Sequence, residues 1–69
     1  MTYKEIAKAV DGRDLPLAGV NEDGERIVIG AGHTDDGVQY YWITTYQKNG
    51  WVRITNYYED GTTEETYSR

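Results

Sequence analysis

Residues 38–58 read VQYYWITTYQKNGWVRITNYY, and the way this stretch is parsed decides the fold. Two runs of β-branched and aromatic side chains flank Lys48-Asn49-Gly50. The runs have the composition of pleated strands, and the Asn-Gly pair is a hairpin signal. Side chains alternate between the two faces of a strand, so Tyr40, Trp42 and Tyr46 point one way while Tyr41 and Ile43 point the other. Both faces therefore carry large apolar groups, which a sheet with one wet side does not need.

The same punctuation recurs at Glu22-Asp23-Gly24, Asp35-Asp36-Gly37 and Glu59-Asp60-Gly61. Successive glycines stand thirteen, thirteen and eleven residues apart. That spacing fits strands of up to about ten residues joined by tight turns and leaves no room for crossover helices. The expected sheet is an antiparallel meander with strands near 15–21, 25–31, 38–47, 51–58 and 62–68. The first strand carries Pro16 and Gly19 and suits only an edge. Two registers are open. Three-residue loops with glycine in a bulge put Trp42 on a face with Tyr40, Tyr46, Val52, Ile54 and Val28; a two-residue Asn-Gly turn makes Tyr57 its cross-strand neighbour.

Before the strands, Tyr3, Ile6, Ala7 and Val10 fall at helical spacing and predict a helix over about 2–10. Thr2 with Glu5 matches a capping box, Met1 and Ile6 are placed for a hydrophobic staple, and Gly12 supplies a left-handed stop. The fold class is thus α+β: a short amino-terminal helix on a four- to five-stranded antiparallel sheet, in one domain spanning 1–69. A nine-residue helix is about 13 Å long, whereas such a sheet is about 19–24 Å across. One helix cannot cover both sides. The sheet must curl into a half-open small barrel, pack against a second chain, or leave an aromatic patch exposed.

Composition narrows the function classes. With 69 residues the core is thin, and a deep catalytic cleft is not expected. The absence of cysteine removes disulfides and thiolate metal sites, and makes an intracellular, cytoplasmic location the expectation. No apolar run approaches a membrane span, and Met1-Thr2-Tyr3-Lys4-Glu5 lacks the order of a signal peptide, so a soluble, unprocessed chain is expected. A formal charge of −5 repels phosphate backbones and anionic lipid, so neither direct nucleic-acid binding nor membrane binding is expected. All nine aromatic rings are tyrosine or tryptophan. Each carries a hydrogen-bonding tip suited to a half-wet surface.

No constellation of catalytic residues is legible, and an enzyme is not expected. One histidine, His33, and one serine, Ser68, are too few and too far apart for a serine triad. His33 with Asp35 and Asp36 offers a weak ion site at most, and a solvated loop histidine beside a turn is the simpler reading. Gly30-Ala31-Gly32 lacks the lysine and following helix of a phosphate loop and reads as a strand end or bulge. No cofactor and no metal are implied.

The acids are better organised. Alternate turns of a meander lie at the same end, so Asp35 and Asp36 should sit beside Glu59 and Asp60, with Glu64 following on the last strand. Glu22, Asp23 and Glu25 go to the other end with Lys48. These acids serve solubility and edge protection in the plainer reading. In the sharper one, an acidic end (Asp35, Asp36, Glu59, Asp60, Glu64) beside an aromatic face (Tyr40, Trp42, Tyr46, Trp51, Tyr57) recognises a basic protein partner, such as a nucleic-acid-binding enzyme, by imitating a phosphate strand. Compact acidic proteins of phages and mobile elements, including anti-CRISPR and anti-restriction proteins, are similar in size and charge, though no motif carries that likeness. Two other functions stay open: stacking of sugar, peptide or single-stranded nucleic acid on Trp42, Trp51 and neighbouring tyrosines, against whose nucleic-acid version the charge argues, since Arg53 is expected simply to sit over a ring as a cation–π partner; and a structural homodimer.

Overall fold

Four glycine-ended turns organise the chain. In the computed structural model, which covers residues 1–69, the backbone N–H of Asn21 donates to the Glu25 carbonyl at 2.9 Å and that of Gly24 to the Asn21 carbonyl at 3.0 Å. The same pair of bonds recurs at Thr34–Val38, Gln47–Trp51 and Tyr58–Thr62. Each loop ends in a glycine with φ between 78 and 94°, a left-handed backbone that side chains with a Cβ resist. Short side chains lock the loops further. Asn21 Oδ1 accepts from the N–H groups of Asp23 and Glu25, Asn49 Oδ1 from Trp51 N–H, and Asp60 Oδ1 from Thr62 N–H.

Between these turns run β1 (Leu17–Val20), β2 (Arg26–His33), β3 (Gln39–Tyr46), β4 (Val52–Tyr58) and β5 (Thr63–Ser68). Each strand pairs antiparallel with the next in the order β1-β2-β3-β4-β5, and the sheet is not closed. The three-residue loops choose the register: Tyr46 faces Val52, Trp42 faces Asn56 and Tyr41 faces Tyr57. Strand β2 runs on to His33, opposite Gln39. His33 is therefore a strand residue rather than a loop residue, and Gly30 and Gly32 sit in regular pairing with Trp42 and Tyr40 rather than in a bulge.

The helix α1 (Tyr3–Ala9) begins where Thr2 Oγ1 accepts the N–H of Glu5 at 3.2 Å, and Gly12 follows its end at φ 74°. Met1 remains 74% exposed, so it contributes little as a staple over Ile6. Ile6, Val10 and Ile43 are the buried apolar core, flanked by Leu15, Leu17, Ile27, Ile29, Tyr41 and Tyr57. Tyr3 packs on Tyr41 with ring centroids 4.9 Å apart. Pairing partners of Ile43 share its face, so α1 covers the side bearing Ile27, Ile29, Tyr41 and Tyr57. No helix is long and apolar enough to cross a membrane.

The other side has no second layer and is covered by its own rings. A Cβ on Gly30 would meet Trp42 ring atoms at 2.0 to 2.7 Å, so the indole lies against the β2 backbone where no side chain intervenes. At Gly32 a Cβ would meet only the tip of the Tyr40 ring, at 2.9 Å. An alanine in a strand ordinarily gains over glycine. At Gly30 the sign should reverse, with a loss of about 1–3 kcal/mol in urea unfolding and an altered near-ultraviolet dichroism of Trp42, because the ring must leave its seat. Gly32→Ala should cost less, and equal stability of Gly30→Ala and the natural chain would show that the ring does not occupy this seat.

Candidate functional site

The uncovered sheet face carries Val28 from β2, Tyr40, Trp42 and Tyr46 from β3, Val52, Ile54, Asn56 and Tyr58 from β4, and Glu64 from β5. Antiparallel pairing puts these residues on one side because each is a partner, or a partner's partner, of a β3 side chain of even number. Of the five expected aromatic residues, Tyr40, Trp42 and Tyr46 share this face. Tyr57 does not: it pairs with Tyr41 and packs against the helix-side core. The three-residue loop at Lys48-Asn49-Gly50 is the reason, since a change of one residue in the loop would reverse every β4 side chain. Trp51 ends that loop and groups with Gln47 and Tyr67 on the helix side. Tyr58 takes a place beside Tyr40 instead, with ring centroids 5.2 Å apart and planes tilted by 48°.

The face has an end of mixed charge, where Glu22, Asp23 and Glu25 stand with Arg26 and Lys48, and an acidic end. At the end formed by the first and third turns, the Arg26 guanidinium lies 4.6 Å from the centroid of the Tyr46 ring, and Lys48 N–H donates to Glu25 Oε2 at 3.3 Å. The opposite end holds the turns that carry Asp35, Asp36, Glu59 and Asp60, and Glu59 N–H donates to the Gln39 carbonyl there at 2.9 Å. Glu64 reaches this region from the edge strand. Its Oε1 accepts from the Tyr58 hydroxyl at 3.3 Å and from Asn56 Nδ2 at 3.4 Å. The single salt bridge of the chain joins Arg53 and Glu65 at 3.6 Å on the helix side. Arg53 is thus paired with a carboxylate rather than stacked on a ring, and Asp35, Asp36, Glu59, Asp60 and Glu64 form no salt bridge. Desolvation, and then the nearby Glu59 and Tyr41, push the Tyr3 phenol up from its ordinary value.

On the helix side α1 stops short of β4 and β5. A cavity of about 540 Å³ remains there, lined by Ile27, Ile43, Thr45, Arg53, Thr55 and Tyr57 among others. No three His, Asp or Glu side chains stand together as ligands for a metal ion. Beside His33, the carboxylate of Asp36 already accepts the Thr34 hydroxyl at 2.7 Å. Compared with protein-family models, with curated proteins and with solved structures, the chain gives no significant match.

The turn hydroxyls lower the pKa of two of the end carboxylates. Asp36 lies below the usual aspartate range, first because of the Thr34 hydroxyl and then because of its own backbone N–H. Asp60 is lowered first by the Thr62 hydroxyl and then by the Thr62 backbone N–H. A carboxyl whose folded pKa is depressed stabilises the fold above its unfolded pKa and loses that contribution as pH falls through the folded value. The stability curve should therefore decline on the acid side of the ordinary aspartate range. Thr62→Val should move the Asp60 midpoint up toward that range, followed by carboxyl carbon NMR, and leave Asp36 in place. An unmoved Asp60 midpoint would remove the hydroxyl as the cause.

Proposed function

We propose that the protein is a small acidic binding module that docks on a basic protein surface, with the uncovered sheet face as its contact area and the Asp35/Asp36/Glu59/Asp60 end as its steering charge. The observation that carries this reading is that turn carboxylates outside any salt bridge share one end of the sheet with the half-buried rings of Tyr40 and Tyr58, although Glu59 faces Tyr3 on the helix side. Unpaired acids steer a positive partner inward, and rigid tyrosine and tryptophan rings give contact area at small entropic cost. Five carboxylates without cations among them resemble, in charge alone, a short stretch of phosphate backbone. A nucleic-acid-binding groove is the basic surface such a pattern fits, so the consequence of binding is inhibition by competition with nucleic acid. Binding without catalysis follows from the same inventory, which offers contact surface and charge but no nucleophile with its base.

Capture of nucleic-acid-binding proteins from host extract on the immobilised chain tests this reading. Capture should weaken from low to high salt, be displaced by added duplex or single-stranded nucleic acid, and fall sharply when Asp35, Asp36, Glu59 and Asp60 are changed together to asparagine or glutamine. Capture indifferent to salt and to those four changes would overturn it.

A further inference from the structure

Strand β5 is an edge whose outer side is unpaired. It is the longer of the two edges, six residues against four in β1, which is entered through Pro16. All of β5 is exposed, and it pairs with β4 from Val52↔Ser68 to Tyr57↔Thr63 without a bulge. Register fixes which of its backbone groups are free. Tyr58 N–H donates to the Thr62 carbonyl at 2.9 Å and closes the fourth turn. Hydrogen-bonded pairs recur at every second position of an antiparallel ladder, so Glu64, Thr66 and Ser68 turn their N–H and C=O groups inward to β4. Those of Thr63, Glu65 and Tyr67 point outward, where no strand meets them. Proline, lysine and bulges commonly blunt such an edge; here only Glu64 and Glu65 carry charge along it. These two stand on opposite faces. Each engages its own sheet through Oε1 alone, Glu64 with Tyr58 and Asn56, Glu65 with Arg53 and Tyr67.

We infer that the free edge of β5 accepts an extended segment of the basic partner as a sixth strand, with consecutive cationic side chains beside Glu64 on the uncovered face and Glu65 on the helix side. The inference rests on the docking reading and specifies how the partner is held. Strand addition takes its affinity from main-chain hydrogen bonds, here to Thr63, Glu65 and Tyr67, and its selectivity from alternate side chains. Directly opposed residues of paired strands have Cβ atoms about 4.5–5.5 Å apart, within reach of an ion pair. Charge chooses the occupant. A second copy of β5 would bring two more glutamates and no cation before Arg69, so like charges oppose self-pairing. An acidic segment is refused for the same reason, and a neutral one gains nothing from either glutamate. The turn Glu59-Asp60-Gly61 leads directly into β5, so a partner steered to that turn arrives beside the open ladder.

The test is an NMR titration of the full chain with an octapeptide of valine and threonine around a central Lys-Lys pair, and with its Glu-Glu counterpart. Two N-methylated forms of the lysine peptide, blocked at odd or at even amides, keep the charge and remove alternate donors. At saturating lysine peptide the Thr63, Glu65 and Tyr67 amides should exchange with solvent several-fold more slowly, while those of Glu64, Thr66 and Ser68, already bonded to β4, change little. The glutamate peptide should not bind. One N-methylated form should bind and the other should not, since only alternate amides of an added strand face β5. The Glu64→Gln/Glu65→Gln double variant should bind the lysine peptide about three- to tenfold more weakly, the margin of two cross-strand ion pairs, while its amide spectrum stays folded. Absence of binding, equal binding of the two N-methylated forms, or shifts confined to the turn acids would overturn strand addition. In each of those cases salt-dependent capture that needs the four turn acids would still uphold the docking reading. Capture indifferent to salt and to those acids would remove the docking reading and, with it, the partner strand.

Discussion

Ile6 is the one side chain in the molecule that is sealed almost completely from water, at 1% exposure, and it is sealed by packing with Val10 against Ile43. Complete burial of such a side chain is worth about 1.5–3 kcal/mol. This contact joins the two layers, and its small size sets the terms for everything around it. A seven-residue helix is about 10 Å long, while five strands span about 19 Å. The helix therefore roofs the middle of one face, leaves a cavity over Thr45 and Thr55, and leaves the far face with no roof.

The far face compensates through its own geometry. Glycines at positions 30 and 32 let the rings of Trp42 and Tyr40 lie down on β2, so aromatic surface is buried against backbone rather than against a second layer. Gly30 is itself buried by this arrangement, though it belongs to a sheet face open to solvent. Glycine in a strand usually weakens it; here the absent side chain is the space that the ring occupies. The rings remain half-buried, with one side against the sheet and the other available. Such a face is ordered before any partner arrives, a property that reduces the entropy lost on binding.

Charge is distributed along this platform by topology. Consecutive antiparallel strands put the second and fourth turns at one end, and those turns carry Asp35, Asp36, Glu59 and Asp60. At the other end two cations are in contact with rings, Arg26 over Tyr46 and Arg69 over Trp51. Two of the acids, Asp36 and Asp60, are held below the usual aspartate range by neighbouring hydroxyls. Acids of the second and fourth turns form no salt bridge, whereas at the other end Glu22, Asp23 and Glu25 stand with Arg26, Lys48 and Arg69.

Much of this was legible from local chemistry. Hairpin glycines, Asx-type locks and the Thr2 cap act within five residues, so the helix, the five strands and the shared end of the acidic turns follow from the order of residues alone. The face of Tyr57, the ionic partner of Arg53 and the role of Gly30-Ala31-Gly32 did not. Each depends on which atoms lie opposite across the sheet, and that is set by loop length, where one residue more or less turns a strand over. Local order thus determined the elements and their sequence; only the assembled sheet decided that Trp42 rests on Gly30, that Tyr58 and Glu64 meet, and which rings were left without a cover.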